Sequence, residues 1–271
     1  IELKTYFYVT NNMYKSLLLI ILMLSVSLIS HNDGNGKDHE VDRRFIGKTR
    51  AEIEAELFES YIEKIYNEVA LEGQLSFRIF KTSFVGYMNM RNRGLVAKPV
   101  MTIVDFRQPS SEKRFYCLDL YEKKLLHRTY VSHGENTGGD KYVVEFSNEP
   151  NSYKSSLGFY KTAETYSGKN GYSLRLDGLD ISFNDNARLR NIVVHGAHYV
   201  NDKLVKKNGF IGKSQGCPAI PMDIYESVIN DIKEGTLLFL YASNREYLSS
   251  SSFLDFNRAK SHYFDNRGVF K

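Results

Sequence analysis

The sequence has little cysteine and little net charge, and each shortage excludes classes of protein. Only two of the 271 residues are cysteines, which is too few for a disulfide framework or a four-thiolate zinc site. The 36 lysines and arginines nearly balance the 32 acidic residues, so we expect no nucleic-acid partner. Hydrophobic residues make up 42% of the chain, a globular balance that excludes disorder and a multi-span membrane protein.

A single long hydrophobic run lies near the start of the sequence. Residues 17–29 contain only Ser25 and Ser27 as polar members, and Met13 and Lys15 precede them. A basic residue followed by a short apolar run is typical of a secretory signal. As a helix the run spans roughly 20 Å, less than the ~30 Å hydrocarbon core of a bilayer. We therefore expect residues 1–30 to be a signal peptide that starts at Met13, and the protein to be exported to the periplasm or cell envelope. The alternative is an uncleaved anchor that makes the only membrane contact.

The next part of the chain is first polar and then helical in pattern. Residues 31–48 are polar and predict a linker, whereas residues 49–95 carry apolar residues at helical spacing. The first predicted helix has the stripe Ile53, Leu57, Ile62, Ile65 and Val69. The second has Phe77, Phe80, Phe84 and Met88, with Ser76 as its N-cap and Gly94 as its stop.

Short β-rich segments broken by Gly, Asn and Ser follow over residues 96–243. The predicted strands are 100–106, 114–121, 125–132, 157–162, 172–176, 192–195 and 237–241. One late helix is predicted over 222–233, and residues 244–271 are expected to form a loosely packed tail. Closely spaced strands with few helices predict a mainly β fold, a β-sandwich or partly closed barrel with an N-terminal helical segment.

A histidine that ends a buried strand and a cysteine on a glycine-containing turn form a candidate catalytic pair. The strand ends in His195-Gly196, and the turn Ser214-x-Gly216-Cys217 follows. A cysteine on such a turn has an exposed sulfur and nearby backbone N–H groups, which an acyl-transfer nucleophile needs. A nearby imidazole can take the thiol proton and hold an ion pair, since a thiol with a pKa of about 8.5 is mostly protonated at neutral pH.

Spacing alone leaves other interpretations open. Cys217 is alternatively a small buried thiol, or half of a disulfide with Cys117. His195 is alternatively a core histidine, in which case His198 is a second candidate for the base. No third ligand stands at a diagnostic spacing from these histidines, so we expect neither a metal nor another cofactor.

Motifs distributed in order over residues 77–241 carry a family resemblance. They include Asp105-Phe106-x-x-Pro109-Ser110, Phe146-Ser147-Asn148, residues 152–160, residues 171–174, Asn184-x-Asn186-Ala187-Arg188-x-Arg190, His195-Gly196-Ala197 and residues 214–219. In this order they resemble the murein L,D-transpeptidase catalytic domain family of the YkuD type, and several motifs together are more specific than one cysteine and one histidine. The resemblance implies an L,D-transpeptidase-like, mainly β catalytic domain over residues 96–243.

The resemblance implies an enzyme that remodels peptidoglycan stem peptides through a thioester. In such enzymes the cysteine attacks the carbonyl between the L-centre of a diaminopimelate and the following D-alanine, which leaves. An amine on a neighbouring stem then resolves the acyl-enzyme into a 3→3 crosslink. By position, Cys217 is the nucleophile, His195 is the base and later the acid, and the Gly196 carbonyl orients the imidazole. The Gly216 and Cys217 amides are the oxyanion donors, and Ser214 fixes the turn.

Further residues near these motifs are candidates for substrate binding. Arg190 and Arg188 each carry a guanidinium fork that suits the free carboxylate of a stem peptide, and Arg190 is favoured. Asn186, Tyr199 and Tyr160 are the other candidates, with turn formation and core packing as their alternative roles. The resemblance also implies that a carbapenem, whose strained carbonyl mimics the donor, acylates the cysteine.

Two positions depart from the family pattern. Gln215 stands where the broader family has a histidine two residues before the cysteine, and Ala219 stands where an arginine or asparagine is usual. These departures weaken the inference of crosslinking in particular more than the inference of cysteine acyl transfer. The alternative functions are therefore an L,D-carboxypeptidase, in which water is the acceptor, and a noncatalytic cell-wall-binding module.

Overall fold

The computed structural model describes residues 45–265, so the predicted signal peptide or anchor lies outside the described part. The described residues divide after Ile53: residues 45–53 belong to one unit and residues 54–265 to another. In the first, the Thr49 N–H donates to Glu52 Oε2 at 2.7 Å and the Glu52 N–H donates to Thr49 Oγ1 at 3.4 Å, a reciprocal helix cap. Within residues 45–265, no helix is long and apolar enough to cross a membrane.

Helices stand at both ends of the described chain, and strands fill most of the middle. The helices are α1 (Arg50–Glu68), α2 (Phe77–Asn92), α3 (Asp202–Asn208), α4 (Tyr225–Ile232), α5 (Arg245–Ser250) and α6 (Phe256–Asp265). The strands are β1 (Val100–Asp105), β2 (Phe115–Asp119), β3 (Lys124–Thr129), β4 (Gly158–Gly168), β5 (Gly171–Gly178), β6 (Val193–Ala197), β7 (Ala219–Pro221) and β8 (Leu237–Tyr241).

All eight strands belong to one nearly closed, barrel-like sheet in the order β3-β2-β1-β8-β4-β5-β6-β7. Most neighbours are antiparallel, whereas β1 pairs with β8 and β6 pairs with β7 in parallel. Each predicted strand overlaps an observed one, and the mainly β prediction is confirmed. The sequence does not predict the three-residue strand β7, because so short a segment around Pro221 carries no alternating pattern.

The central strands β1 and β8 are buried along their whole length because the sheet is covered on both faces. On one face, Ile103 and Phe239 pack in a cluster with Phe84 of α2. On the other, Val104 belongs to a cluster with Val228 of α4. Burial of each such side chain contributes about 1.5–3 kcal/mol, so the two clusters hold the sheet rigid as a support for its edge strands.

The structure corrects two details of the predicted helical regions. In α1 the buried stripe includes Phe58, Ile62 and Ile65, whereas Leu57 is 41% exposed. The predicted tail contains the helices α5 and α6 instead of loose chain. Tyr247 of α5 is fully buried, and its hydroxyl donates to the Asp180 carboxylate at 3.0 Å. This segment is ordered by contacts with residues far away in sequence, which its serine-rich composition does not indicate.

Candidate active site

Strand pairing brings His195 and Cys217 to the same end of the sheet. His195 lies in the buried strand β6, directly opposite Ala219 of β7 in the parallel register. Cys217 precedes Ala219 by two residues, so it stands on the turn that leads into β7. Because paired strands are only about 4.8 Å apart, this register places the imidazole strand beside the thiol turn. Both residues line one open cavity with a volume of about 980 Å³.

The Ser214 side chain ties the turn that carries the thiol. Its hydroxyl donates to the Cys217 carbonyl at 2.6 Å and accepts the Gly216 N–H at 3.1 Å. Ser132 supports the same carbonyl from a neighbouring segment at 3.4 Å and accepts the Ala219 N–H at 3.1 Å. The turn is therefore fixed on both sides by hydroxyl groups. The contribution of Ser132 has no local signal in the sequence, since it lies 85 residues before Cys217.

The segment behind the turn is anchored by a buried histidine and a buried arginine. The Ser214 N–H donates to the His133 carbonyl at 2.9 Å. The Arg114 guanidinium donates to His133 Nδ1 at 2.9 Å, and Nε2–H of the same ring donates to the Gly139 carbonyl at 3.1 Å. Burial, together with the Arg114 charge, lowers the pKa of His133 to about 4. The ring is therefore neutral at physiological pH and acts as a fixed structural support.

Position 216 requires glycine for two reasons. Its φ is +113°, a conformation that residues with a side chain rarely adopt. A Cβ atom there would also lie 2.8 Å from the Lys154 carbonyl oxygen and 3.2 Å from Ile192 Cδ1. The Gly216 amide is engaged by Ser214, so the predicted pair of oxyanion donors reduces to the Cys217 amide, which has no acceptor among residues 45–265.

The immediate surroundings of His195 fix its orientation. Nδ1 lies 2.9 Å from the Gly196 carbonyl oxygen. A carbonyl oxygen can only accept, so the neutral ring carries its proton on Nδ1 and leaves Nε2 as the acceptor. Burial lowers the pKa of His195, although the Gly196 contact acts in the opposite direction. The ring is therefore set up as a neutral base.

The sequence predicts an exposed Cys217 thiol, whereas in the structure Cys217 is partly buried. Its Sγ lies 3.7 Å from the Asn191 carbonyl oxygen, to which the thiol donates. Burial raises the pKa of Cys217, while a hydrogen bond from the Val193 backbone and the Arg190 charge lower it. Because burial raises the thiol pKa and lowers the imidazole pKa, the resting pair is thiol and neutral imidazole, not an ion pair.

Gly196 has a second role besides the contact of its carbonyl with the imidazole. A Cβ atom at this position would lie 2.6 Å from Tyr225 Cγ and 2.8 Å from Met222 Sδ. The missing side chain therefore admits Met222 and Tyr225 against β6, and both residues line the cavity. His198, the alternative base, is exposed and lines the same cavity.

Two of the five predicted substrate residues line the cavity. Tyr199 lies beside the thiol, and burial raises the pKa of its phenol to about 12, with a further contribution from Cys217. Arg190 also lines the cavity, but all four of its terminal N–H groups are directed to protein acceptors. Its fork is therefore not free for a substrate carboxylate in this structure, contrary to the prediction.

The other three predicted substrate residues lie outside the cavity. Arg188 pairs on the surface with Glu164 at 2.5 Å and with Asp177. Asn186 binds the backbone of Asn148 through its side-chain amide at 3.2 Å. Tyr160 is fully buried in the core, where its hydroxyl donates to the Ser156 carbonyl at 3.2 Å. Their roles here are structural, because each has its polar groups or its ring engaged by the protein itself.

No cluster of three or more potential metal ligands occurs among residues 45–265. Both cysteines are free thiols, and Cys117 is completely buried in β2. The geometry therefore offers the cavity one thiol, one neutral imidazole and one free backbone amide. This set suits nucleophilic acyl transfer, in which the thiol attacks a carbonyl and the amide stabilises the resulting oxyanion.

Comparison with known proteins identifies the class. The chain belongs to the L,D-transpeptidase catalytic domain family, whose model matches residues 71–241. A comparison with curated proteins finds no match. The family match covers the cavity, His195 and Cys217, and it agrees with the resemblance carried by the sequence motifs.

Solved structures of L,D-transpeptidases are similar at low identity. An L,D-transpeptidase from Mycobacterium smegmatis matches at 12% identity with a TM-score of 0.34, covering 54% of this chain and 60% of its own. An L,D-transpeptidase in complex with imipenem matches at 13% identity with a TM-score of 0.33, covering 54% of this chain and 60% of its own. An L,D-transpeptidase from Stackebrandtia nassauensis matches at 12% identity with a TM-score of 0.32, covering 82% of this chain and 89% of its own. The chain thus spans about 60% of the length of the first two relatives.

Proposed function

We propose that this protein is a cysteine acyltransferase that acts on peptidoglycan stem peptides, an L,D-transpeptidase with Cys217 as nucleophile. Membership of the L,D-transpeptidase catalytic domain family supports peptidoglycan as the substrate. The observation that carries the proposal is the β6–β7 register, which sets His195 opposite Ala219 and next to the Cys217 turn in one open cavity. Such a substrate lies outside the membrane, so we place the protein in the cell envelope, with residues 1–30 as the export signal or anchor.

The first half of the proposed reaction forms a thioester. Nε2 of His195 takes the thiol proton as Cys217 Sγ attacks the carbonyl carbon between the diaminopimelate L-centre and D-alanine. The negative oxygen of the tetrahedral intermediate faces the Cys217 amide. Collapse breaks the C–N bond, and the imidazolium returns its proton to the departing D-alanine amine. The neutral resting pair fits this sequence, because proton transfer then accompanies attack and does not precede it.

In the second half, an amine on a neighbouring stem peptide attacks the thioester carbonyl. His195 accepts a proton from that amine, a new amide bond forms, and Cys217 leaves as thiolate and is reprotonated. The product is a 3→3 crosslink. The cavity is open to the outside, so both an acceptor amine and water can approach the thioester, and the products distinguish the two acceptors.

Incubation of purified protein with tetrapeptide muropeptides, followed by chromatography and mass spectrometry, tests the proposal. We expect 3→3 crosslinked dimers and free D-alanine. Tripeptides without dimers would identify an L,D-carboxypeptidase instead, and unchanged muropeptides would favour the noncatalytic wall-binding module.

A carbapenem provides an independent probe of the same thiol. Intact mass after incubation with imipenem should show one adduct per chain, and peptide mapping should place it at Cys217. His195→Ala should slow formation of the adduct, because the thiol then lacks its base. Cys217→Ser serves as the matched control and should give no comparable adduct, since a hydroxyl is much less acidic than a thiol. An adduct on Cys117, or none with free thiols present, would contradict the assignment.

A further inference from the structure

Arg190 makes an unusual concentration of contacts with a single loop. Its Nη1 donates to the Ser147 carbonyl at 2.6 Å and to the Ser156 hydroxyl, and its Nη2 donates to the Ser152 hydroxyl at 3.1 Å and to the Lys154 carbonyl at 2.7 Å. All four acceptors lie within residues 147–156, called the 147–156 loop below. The planar guanidinium matches four acceptors at fixed angles, which a flexible lysine ammonium cannot do.

The 147–156 loop is a strained wall of the cavity. Asn151 has φ +59° and Tyr153 has φ +54°, and both residues line the cavity. Left-handed backbone is uncommon for residues other than glycine, above all for a bulky tyrosine, and persists only where the surroundings enforce it. The contacts from Arg190 flank these two positions. Together with Asn136, whose backbone N–H donates to the Tyr153 carbonyl at 3.3 Å and whose side-chain amide donates to the Ser152 carbonyl at 3.0 Å, they constrain this conformation.

The same arginine and the same loop press against the cysteine turn. A Cβ atom at Gly216 would lie 2.8 Å from the Lys154 carbonyl oxygen and 3.5 Å from Arg190 Nη2. The guanidinium is also close enough to Cys217 to lower the pKa of its thiol, against the larger effect of burial. One side chain therefore touches the loop, lies against the turn and acts electrostatically on the nucleophile.

We propose that Arg190 is a positioning residue that clamps the 147–156 loop against the Gly216–Cys217 turn, so that Tyr153 and the thiol face the cavity in a fixed arrangement. The guanidinium acts on the loop as a four-point hydrogen-bonding clamp and on the thiolate as a nearby cation. This role replaces the predicted binding of a substrate carboxylate. The clamp deepens the proposed function, and its bearing on substrate binding rests on that function. The clamp itself is testable without catalytic turnover.

Two variants separate the clamp from the charge. Arg190→Gln removes both, whereas Arg190→Lys keeps a cation and loses the planar fork. Arg188→Gln is the matched control, because Arg188 is two residues away and pairs with Glu164 and Asp177 outside the cavity. The other charged and histidine side chains that line the cavity stay unchanged in all three: Glu135, Lys169, His195, His198 and Lys213.

The first readout is the pH profile of Cys217 alkylation by iodoacetamide. Loss of the neighbouring cation in Arg190→Gln should move the midpoint upward by about one pH unit, which lowers the alkylation rate near pH 7.5 by about tenfold. Arg190→Lys should stay within about threefold of the parent, and Arg188→Gln should not change. A merely structural role for Arg190 would not move this midpoint in a folded protein.

The second readout is limited chymotryptic cleavage after Tyr153 of the native protein. Both Arg190 variants should cleave at least about fivefold faster at this site than the parent, while other sites keep their rates. If an Arg190 variant fails to fold, the double variant Ser152→Ala and Ser156→Ala removes two of the clamp's acceptors and should accelerate the same cleavage. Parent-like alkylation and cleavage in folded Arg190→Gln would overturn the proposal. A parent that crosslinks no muropeptides, yet shows these shifts, would contradict the proposed function alone.

Discussion

The two cysteines lie in regions of the sheet that make opposite use of a thiol. Cys117 stands within β2, between Thr102 of β1 and His127 of β3, and is completely buried. Burial raises its pKa to about 12. Cys217 stands on a glycine-containing turn at the far edge of the sheet order and is only partly buried. The same side chain is therefore core filler in one place and a candidate nucleophile in the other.

What separates the two regions is the set of groups around the sulfur. Around Cys117, a hydrogen bond from the Thr102 side chain lowers the thiol pKa, but the larger effect of burial outweighs it. Around Cys217, the Val193 backbone and the Arg190 guanidinium lower the thiol pKa against the effect of burial. Nδ1 of His195 contacts the Gly196 carbonyl, which leaves Nε2 to accept the thiol proton. A reactive cysteine thus requires a supported turn and a base more than it requires exposure.

Cys217→Ala should abolish both muropeptide crosslinking and formation of the imipenem adduct, because no other thiol is accessible to the cavity. The fold should persist, since the turn is held by backbone and hydroxyl contacts of Ser214 that do not involve the sulfur. Chromatography of the muropeptides and intact mass of the protein measure the two losses, and circular dichroism is the control for folding. Crosslinking at the parent's rate would reverse the assignment of the two cysteines.

His195→Ala should slow acylation by about 10²–10⁴-fold, the usual cost of losing a general base. His198→Ala is the matched control and should cost little, because His198 is an exposed residue outside strand β6. Stopped-flow or discontinuous mass measurement of adduct formation compares the two. In the parent the rate should increase as pH rises above the lowered pKa of His195, since only the neutral ring accepts the thiol proton. Equal losses in both variants would mean that both rings take part.

The pair His195 and Cys217 is predictable from sequence because each stands in a local pattern. An apolar run leads into His195, and a glycine immediately precedes Cys217, so strand and turn are visible without tertiary information. The predicted strand end is wrong, because β6 continues through Gly196 to Ala197. The same local reasoning succeeds for seven of the eight strands, β7 being the exception, and for the N-cap of α2 by Ser76. Local spacing therefore establishes the elements and the chemistry they present, and the family motifs indicate how they meet.

The role of Arg190 is not predictable in this way. Its acceptors lie 34–43 residues before it and are two carbonyls and two hydroxyls, groups that every loop contains. Arg188 carries the same side chain two positions away and points to surface carboxylates instead. Similarly, α5 is stabilised by a contact from Tyr247 to Asp180 across 67 residues. Long-range packing decides these positions, and composition or periodicity does not encode it.

Cys117→Ala is the smallest expected effect and addresses the other side of the comparison. Acyl transfer and the imipenem adduct should be unchanged, because Cys117 is buried in β2 away from the cavity. The free energy of unfolding at pH 7 should fall by roughly 1–2 kcal/mol through lost packing. Urea unfolding at equilibrium, together with adduct kinetics, gives both quantities.

The dependence of this deficit on pH provides a sharper measurement. A thiol with a pKa near 8.5 when unfolded and about 12 when folded binds more protons in the folded state between those values. The parent therefore loses stability as pH rises through this window, whereas the alanine variant has no such group to ionise. The stability deficit of Cys117→Ala should accordingly narrow between pH 8 and pH 10, with the two curves measured on the same urea gradient. A deficit that stays constant or grows would mean that the unfolded and folded thiols ionise alike, and that Cys117 is more accessible than its position in β2 implies.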